Sequence, residues 1–268
     1  MQPRLATTPV PRSFGPVNWR GVYALYKRET VRFYRYAAET LAGPAISALM
    51  FLAVFHLALG GEEARPGISL SAFIGPGIVM FMMAHGAFEG GSIPILFHKM
   101  EGMITDVISA PLTPLEMLAG YVLPATTSAM TVGAVVLALV AVFVDLPLHS
   151  VTAIVGFAFA ASLLMALLGL VVGIWAERWD GYSAVETFLV APLGFLSGAF
   201  FPVDNLPETV RWIFHVNPVF QAVEGFRYGF IGQAQTSLVL AASVLAGMSL
   251  VLGLIAWRML AVGYRIKP

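Results

Sequence analysis

Side chains able to do chemistry are sparse in this chain, and none fall into a catalytic pattern. Its 268 residues include 15 acidic and 15 basic side chains, five histidines and no cysteine. Without cysteine there are no disulfides or thiolate metal sites, and the redox compartment cannot be inferred. No G-x-x-x-x-G-K-[ST] loop is present to cradle a phosphate, so the chain alone is not expected to hydrolyse ATP. H-E-x-x-H is absent too, and His56, His85, His98, His149 and His215 fall in different segments. Each reads more simply as a hydrogen-bonded packing residue than as a ligand. Glu89 and Glu186 lie inside apolar runs, where an ionisable group is a candidate site, but both sit close enough to an expected boundary to reach water. Ser197-Gly198 lacks the glycine two residues before the serine that a G-x-S-G nucleophile needs, since Gly194 stands three before it.

The polar residues that do cluster lie in Met100–Tyr121, MEGMITDVISAPLTPLEMLAGY, with Glu101, Asp106 and Glu116. The chemistry open to them is polar contact rather than catalysis. Gly102 to Ala110 predicts one short helix, with Ile104, Val107 and Ile108 on one face. Proline disfavours the helical region for the residue before it, so Ala110-Pro111 should end that helix. Thr113 can cap the next helix, and Pro114 fits its first turn. Glu101, Gly102, Asp106, Ser109, Ala110, Pro111, Leu112, Thr113 and Pro114 thus form a short helix and a sharp corner, leading into a membrane helix. Such a part suits contact with a soluble partner, and the same spacing also fits an ordinary cytoplasmic loop.

The elements around this corner belong to a membrane. Residues are 58% hydrophobic and 11% charged, with a mean hydropathy of +0.82, whereas about a quarter of a soluble domain is charged. The fold class is all-α and membrane-spanning. The first apolar block begins only near residue 41, so no cleavable signal peptide is expected. Residues 1–19, with four prolines, read as a disordered lead. Residues 20–38 read as an interfacial helix, with Arg28, Arg32 and Arg35 on one stripe and Val22, Tyr26 and Phe33 on another; a plain cytoplasmic helix is the alternative. Six apolar segments approach the roughly 20 residues that a span needs, at about 41–59, 72–91, 118–144, 151–176, 184–202 and 237–259. With the N-terminus inside, twelve of the Lys and Arg residues fall on the cytoplasmic side and three (Arg65, Arg211 and Arg227) outside. Both termini, including the tail 261–268, should then be cytoplasmic.

Several spans are interrupted, by Pro44, by Gly75-Pro76-Gly77, and by Pro192 with Gly194. Freed backbone groups survive in a membrane only where protein or water satisfies them. Gly169/Gly173 and Ser243/Gly247 have spacings that permit close helix contact, within one subunit or between two. Residues 203–236 are too apolar for a solvated loop. They predict two short helices, near Pro207–Phe214 and Val219–Phe230, capped by Asp204 or Asn205 and broken at Asn217-Pro218. With Pro202, Gly225 and Arg227 they read as a re-entrant hairpin in the outer leaflet. A seventh span near 216–232 is opposed by Glu224 and Arg227.

Four pieces in order resemble the permeases of type-2 ABC exporters, the ABC-2 family. They are FIGPGIVMFMMA at 73–84, GMITDVISAPLTPLEMLAGYVL at 102–123, APLGFLSGAFFPVDNLP at 191–207 and NPVFQAVEGFRYGF at 217–230. The resemblance covers about residues 25–260 and is nearest to bacterial inner-membrane permeases for polysaccharide, drug or nodulation-factor export. It implies six transmembrane helices, an N-terminal interfacial helix and a re-entrant helical hairpin between helices 5 and 6. It implies a second permease copy, expected to be identical, and two ABC ATPase subunits. ATP and magnesium would sit on those subunits and no cofactor on this chain. Residues 102–114 would be the coupling helix. Membrane lipids are further partners, and no nucleic acid is expected. The substrate would be amphipathic, whether lipid, glycan-lipid, polysaccharide or drug. Glu186 departs from the uncharged residue expected there. The readings from other classes are a membrane-embedded enzyme, against which the missing catalytic sets count, and a passive channel or assembly factor.

Overall fold

The computed structural model describes residues 15–59, 63–65, 67–203 and 206–266. Most of the expected lead, the candidate caps Asp204 and Asn205, and the last two residues of the tail lie outside these. Helix α1 (Trp19–Arg35) is followed by α2 (Ala37–Leu59) and a small antiparallel ribbon, β1 (Glu63–Arg65) with β2 (Ile68–Ser69). Next come α3 (Leu70–Met100), α4 (Ile104–Ser109), α5 (Pro114–Phe143) and α6 (Val151–Trp175). Then α7 (Trp179–Val185) runs through a π-helical turn (Glu186–Val190) into α8 (Ala191–Phe195). The order closes with α9 (Glu208–Val216), α10 (Pro218–Ile231) and α11 (Leu238–Val262). Among the described residues, five helices, α2, α3, α5, α6 and α11, are long and apolar enough to cross a membrane.

Helix α3 is the centre of the bundle. It packs against α5 and α6 and also meets α2 and α10, whereas α2 and α11 bury few residues and lie at the periphery. The α3–α6 crossing is close because glycines form it. A Cβ on Gly91 would strike the Ala166 carbonyl, and one on Gly169 would strike that of Phe88. A Cβ on Gly173 would come within 2.5 Å of the Ser92 carbonyl oxygen. The Gly169/Gly173 pair therefore serves packing within the subunit. Around Gly247, by contrast, nothing lies within reach of a Cβ.

Three expectations change here. Gly75-Pro76-Gly77 does not interrupt α3, which stays helical and buried through all three residues. Pro76 is the seventh residue of α3 and removes one bond from its ladder, and the protein packed around this buried stretch holds the helix through it. The expected helix from Gly102 begins instead at Ile104, because Gly102 has φ +73° and closes α3. The segment expected as a fifth span, 184–202, starts earlier, at Trp179, and leaves the helix after Phe195. Its helices of 7, 5 and 5 residues rise together only about 25 Å, short of a hydrocarbon core of about 30 Å. Beyond them the chain turns through Gly198 (φ +63°) and continues as irregular, mostly buried backbone to Val203. Ser197 is fully buried there and donates to the Gly194 carbonyl at 2.5 Å, so it is no exposed nucleophile.

Candidate functional site

The corner between α4 and α5 is built as its prolines dictate. Ala110 is extended (φ −70°, ψ 144°), as a residue before proline must be, and α4 stops at Ser109. Ile104 and Val107 are buried beneath α4, while Glu101, Asp106, Ser109 and Pro111 are exposed and Leu112 is half-buried. Pro114 opens α5, and Thr113 caps it by accepting from the Glu116 N–H at 3.3 Å. Glu116 reaches back to accept the Thr113 N–H at 2.7 Å, which completes a capping box.

One residue ties this corner to α1. The other Glu116 oxygen accepts the backbone N–H of Asn18 at 2.5 Å. The Asn18 side chain caps α1 by accepting from the Gly21 N–H at 3.0 Å and donates to the Pro111 carbonyl at 3.0 Å. The buried Glu116 carboxylate thus joins the N-termini of α1 and α5, where the helix dipoles favour an anion. The backbones also approach closely. A Cβ on Gly21 would lie 2.6 Å from Leu112, and one on Gly120 would enter Leu25. Helix α1, the corner and α5 are held as one unit.

A second set of polar groups holds the far end of α1. Arg28 and Arg32 each approach the buried Glu29 carboxylate at 3.0 Å. His98 on α3 lies 3.8 Å from Glu29, and its Nδ1 accepts from Arg28 at 3.4 Å and from the Tyr121 hydroxyl on α5 at 3.0 Å. Beside it, Lys99 donates to the Gly173, Ile174 and Ala176 carbonyls that end α6, and Arg265 donates to that of Trp175. These are the carbonyls a helix leaves without intrahelical partners.

The α9–α10 segment has its own anchors. Asn217 ends α9, caps α10 through the Val219 N–H, and donates to the Leu193 and Leu196 carbonyls at 2.7 and 2.8 Å. Arg227 is fully buried. It pairs with Glu224, stacks on the Phe73 ring at 3.7 Å, and donates to the Phe73 and Gly198 carbonyls at 3.0 and 2.8 Å. Glu224 also accepts the Gln235 N–H at 2.6 Å. Pro202 is buried, Pro207 precedes α9, Pro218 opens α10, and Gly225 lies so close to the Phe157 ring that a Cβ would clash.

Comparison with known proteins then decides the class. The profile of the family described as ABC-2 type transporter matches residues 20–231. The chain belongs to this family. It is similar to the inner membrane transport permease YadH of Escherichia coli K12, 29% identical over 250 residues, which are 93% of this chain and 98% of YadH. It is also similar to nodulation protein J of Rhizobium leguminosarum biovar viciae, 29% identical over 86% of this chain and 89% of that protein. The same protein of Rhizobium meliloti is 26% identical over 81% and 84%.

In this ABC-2 chain the residues expected in the loop after α3 do come together, whereas the three arginines of α1 do not act alike. Arg28 and Arg32 turn to Glu29, while Arg35 is exposed. Sequence reasoning passed over Asn18, Glu29, Lys99 and the second contact of Glu116. For two of them a signal was present: Asn18 is an N-cap residue one position before α1, and Glu29 sits one and three residues from two arginines. Of the histidines only His98 is buried, bonded to Tyr121, while His56 meets Ser71 at 3.3 Å and His149 and His215 meet the rings of Tyr228 and Phe220 from exposed positions. The fifth, His85, meets Glu89 and Glu186.

Proposed function

We propose that this chain is the membrane permease subunit of an ATP-driven exporter in a bacterial inner membrane. Two copies would pair and dock two ATPase subunits, which hold the ATP and magnesium. The chain would cross the membrane six times with both termini cytoplasmic. The fifth crossing would be α7–α8 together with the irregular segment to Val203. Helix α1 would lie at the interface, α9–α10 would form the re-entrant hairpin, and α4 would be the coupling helix. The substrate would be amphipathic. The observation that carries this reading is the clamp at the corner. An exposed short helix is joined through Pro111, Pro114, Asn18 and Glu116 to both α1 and α5. A push on α4 by a docked subunit would therefore reach the bundle undamped.

The test replaces Pro111 and Pro114 by glycine and, separately, Asp106 by arginine. Each variant is reconstituted with the ATPase, and complex yield, ATP turnover and export are measured. Proline fixes its own φ and restricts its neighbour, so the double glycine variant should keep the complex and lose about tenfold or more in export. Asp106→Arg should weaken the complex itself. Undiminished export by the double glycine variant would make the loop a passive connection.

A further inference from the structure

Midway along α3, His85 and Glu89 face Glu186, the first residue of the π-helical turn. His85 Nε2 is 3.1 Å from one Glu186 oxygen, and Nδ1 is 3.7 Å from one Glu89 oxygen. Neither carboxylate stands at a helix end where it could reach bulk water directly. Yet the three side chains keep 35%, 43% and 28% of their exposure, so they face an opening. His85 and Glu89 line a cavity of about 390 Å³, whose other walls include Phe51, Phe81, Met82, Met165 and Val190. That volume is within the range of small-molecule sites, about 300–1,000 Å³, and the walls are apolar as such sites usually are. A second observation points the same way. The Tyr182 hydroxyl is buried beside Glu186 and Ser92, with no hydrogen bond of good geometry to either. Such a group inside an apolar bundle costs free energy unless a ligand or water meets it.

The chemistry at this end of the cavity selects a cation. With both carboxylates ionised, two negative charges outnumber the one imidazolium. One ligand atom from each of the three residues lies within 4.8 Å of the others, close enough to share a metal ion, so the size and the walls of the cavity decide between an ion and a larger cation. The cavity is far larger than an ion and carries aromatic faces that attract an organic cation. The π-helical turn brings Glu186 to the cluster, and such turns are common at functional sites.

We propose that this cavity is a binding site for the cationic group of an amphipathic molecule, with Glu89 and Glu186 holding the charge and the apolar walls holding the body. The proposal rests on reading the chain as a substrate-conducting permease and names the substrate class for it. The test uses the purified full chain in lipid nanodiscs, with empty nanodiscs as the background. Binding of tetraphenylphosphonium is compared with that of its anionic isostere tetraphenylborate. The wild type should bind the cation saturably and the anion no more than the background does. Glu89→Gln/Glu186→Gln, with an unchanged melting profile, should weaken cation binding by about tenfold or more. Glu186→Gln alone, the milder change should the double variant not fold, should weaken it in the same direction. Equal binding of the two probes, or cation binding untouched by the glutamine variants, would overturn the site. So would saturable zinc binding that His85→Ala abolishes, since it would assign the cluster to a metal. The measurement needs no ATPase, so a failure to form the ATPase complex would count against the exporter reading and leave this result standing.

Discussion

At the scale of single residues, Glu116 and Arg227 do most to join distant parts of the chain. Glu116 accepts backbone N–H groups from Asn18 and from Thr113. Removing a charged acceptor from a buried N–H costs more than a neutral hydrogen bond contributes, because the donor is left unpaired. Glu116→Ala should therefore lose about 2–3 kcal/mol of stability, and Glu116→Gln, which keeps one acceptor oxygen, about 1 kcal/mol. Denaturant unfolding in detergent checks both, and an unaltered Glu116→Ala midpoint would show that α1 is not held by this clamp. Arg227 raises a different question, since it shares a fully buried pair with Glu224. Arg227→Met should cost about 3–5 kcal/mol, because it leaves Glu224 as an uncompensated buried charge. Adding Glu224→Gln should recover part of that loss in the same unfolding assay. Thr113 and Pro114 were legible in the sequence because capping is local. The Asn18–Glu116 bond was not, because it joins residues 98 positions apart. Nor did the sequence tell that Glu224 and Arg227 satisfy each other inside the protein; it showed only that they make a poor membrane span.

At the scale of elements, long apolar runs announced α2, α3, α5, α6 and α11, since length and hydropathy alone mark a span. What escaped was the course of 179–203. A π-helical turn leaves no periodic signature, and the carbonyls freed beyond α8 are met by side chains far along the chain. Asn217 takes those of Leu193 and Leu196, and Arg227 takes that of Gly198. The α9–α10 segment is thus what satisfies the irregular backbone after α8. Small-residue spacing was legible as a motif but not as a contact, and two glycines now separate the cases. Gly169→Ala places a methyl against the Phe88 carbonyl, a backbone atom that cannot swing aside, whereas Gly247→Ala meets nothing. The first should lose about 1–3 kcal/mol. The second should unfold like the wild type; if Gly247 serves dimerisation, light scattering would show a change in oligomeric mass. Equal stability of the two variants would remove α3–α6 contact as the reason for Gly169.

At the scale of the whole molecule, the distribution of charge is the ground on which an orientation is expected. The outside tally of three basic residues included Arg227, which is buried and paired rather than exposed in a loop; only Arg65 and Arg211 remain. On the other side, Lys99 and Arg265 cap the end of α6, and Arg28 and Arg32 gather at Glu29. All four lie on the face that also carries α1, α4 and the corner. The corner, these basic residues and the C-terminal turn should then share the cytoplasmic side, with the loop before α11 on the opposite one. The chain has no cysteine, and Ser237, which precedes α11, is exposed. Ser237→Cys should react with a membrane-impermeant maleimide added outside intact spheroplasts. Ser109→Cys, on the exposed side of α4, should react only after the membrane is opened. Labelling of Ser109→Cys in intact spheroplasts would place the corner outside, beyond the reach of any cytoplasmic ATPase, and the exporter reading would fall with it.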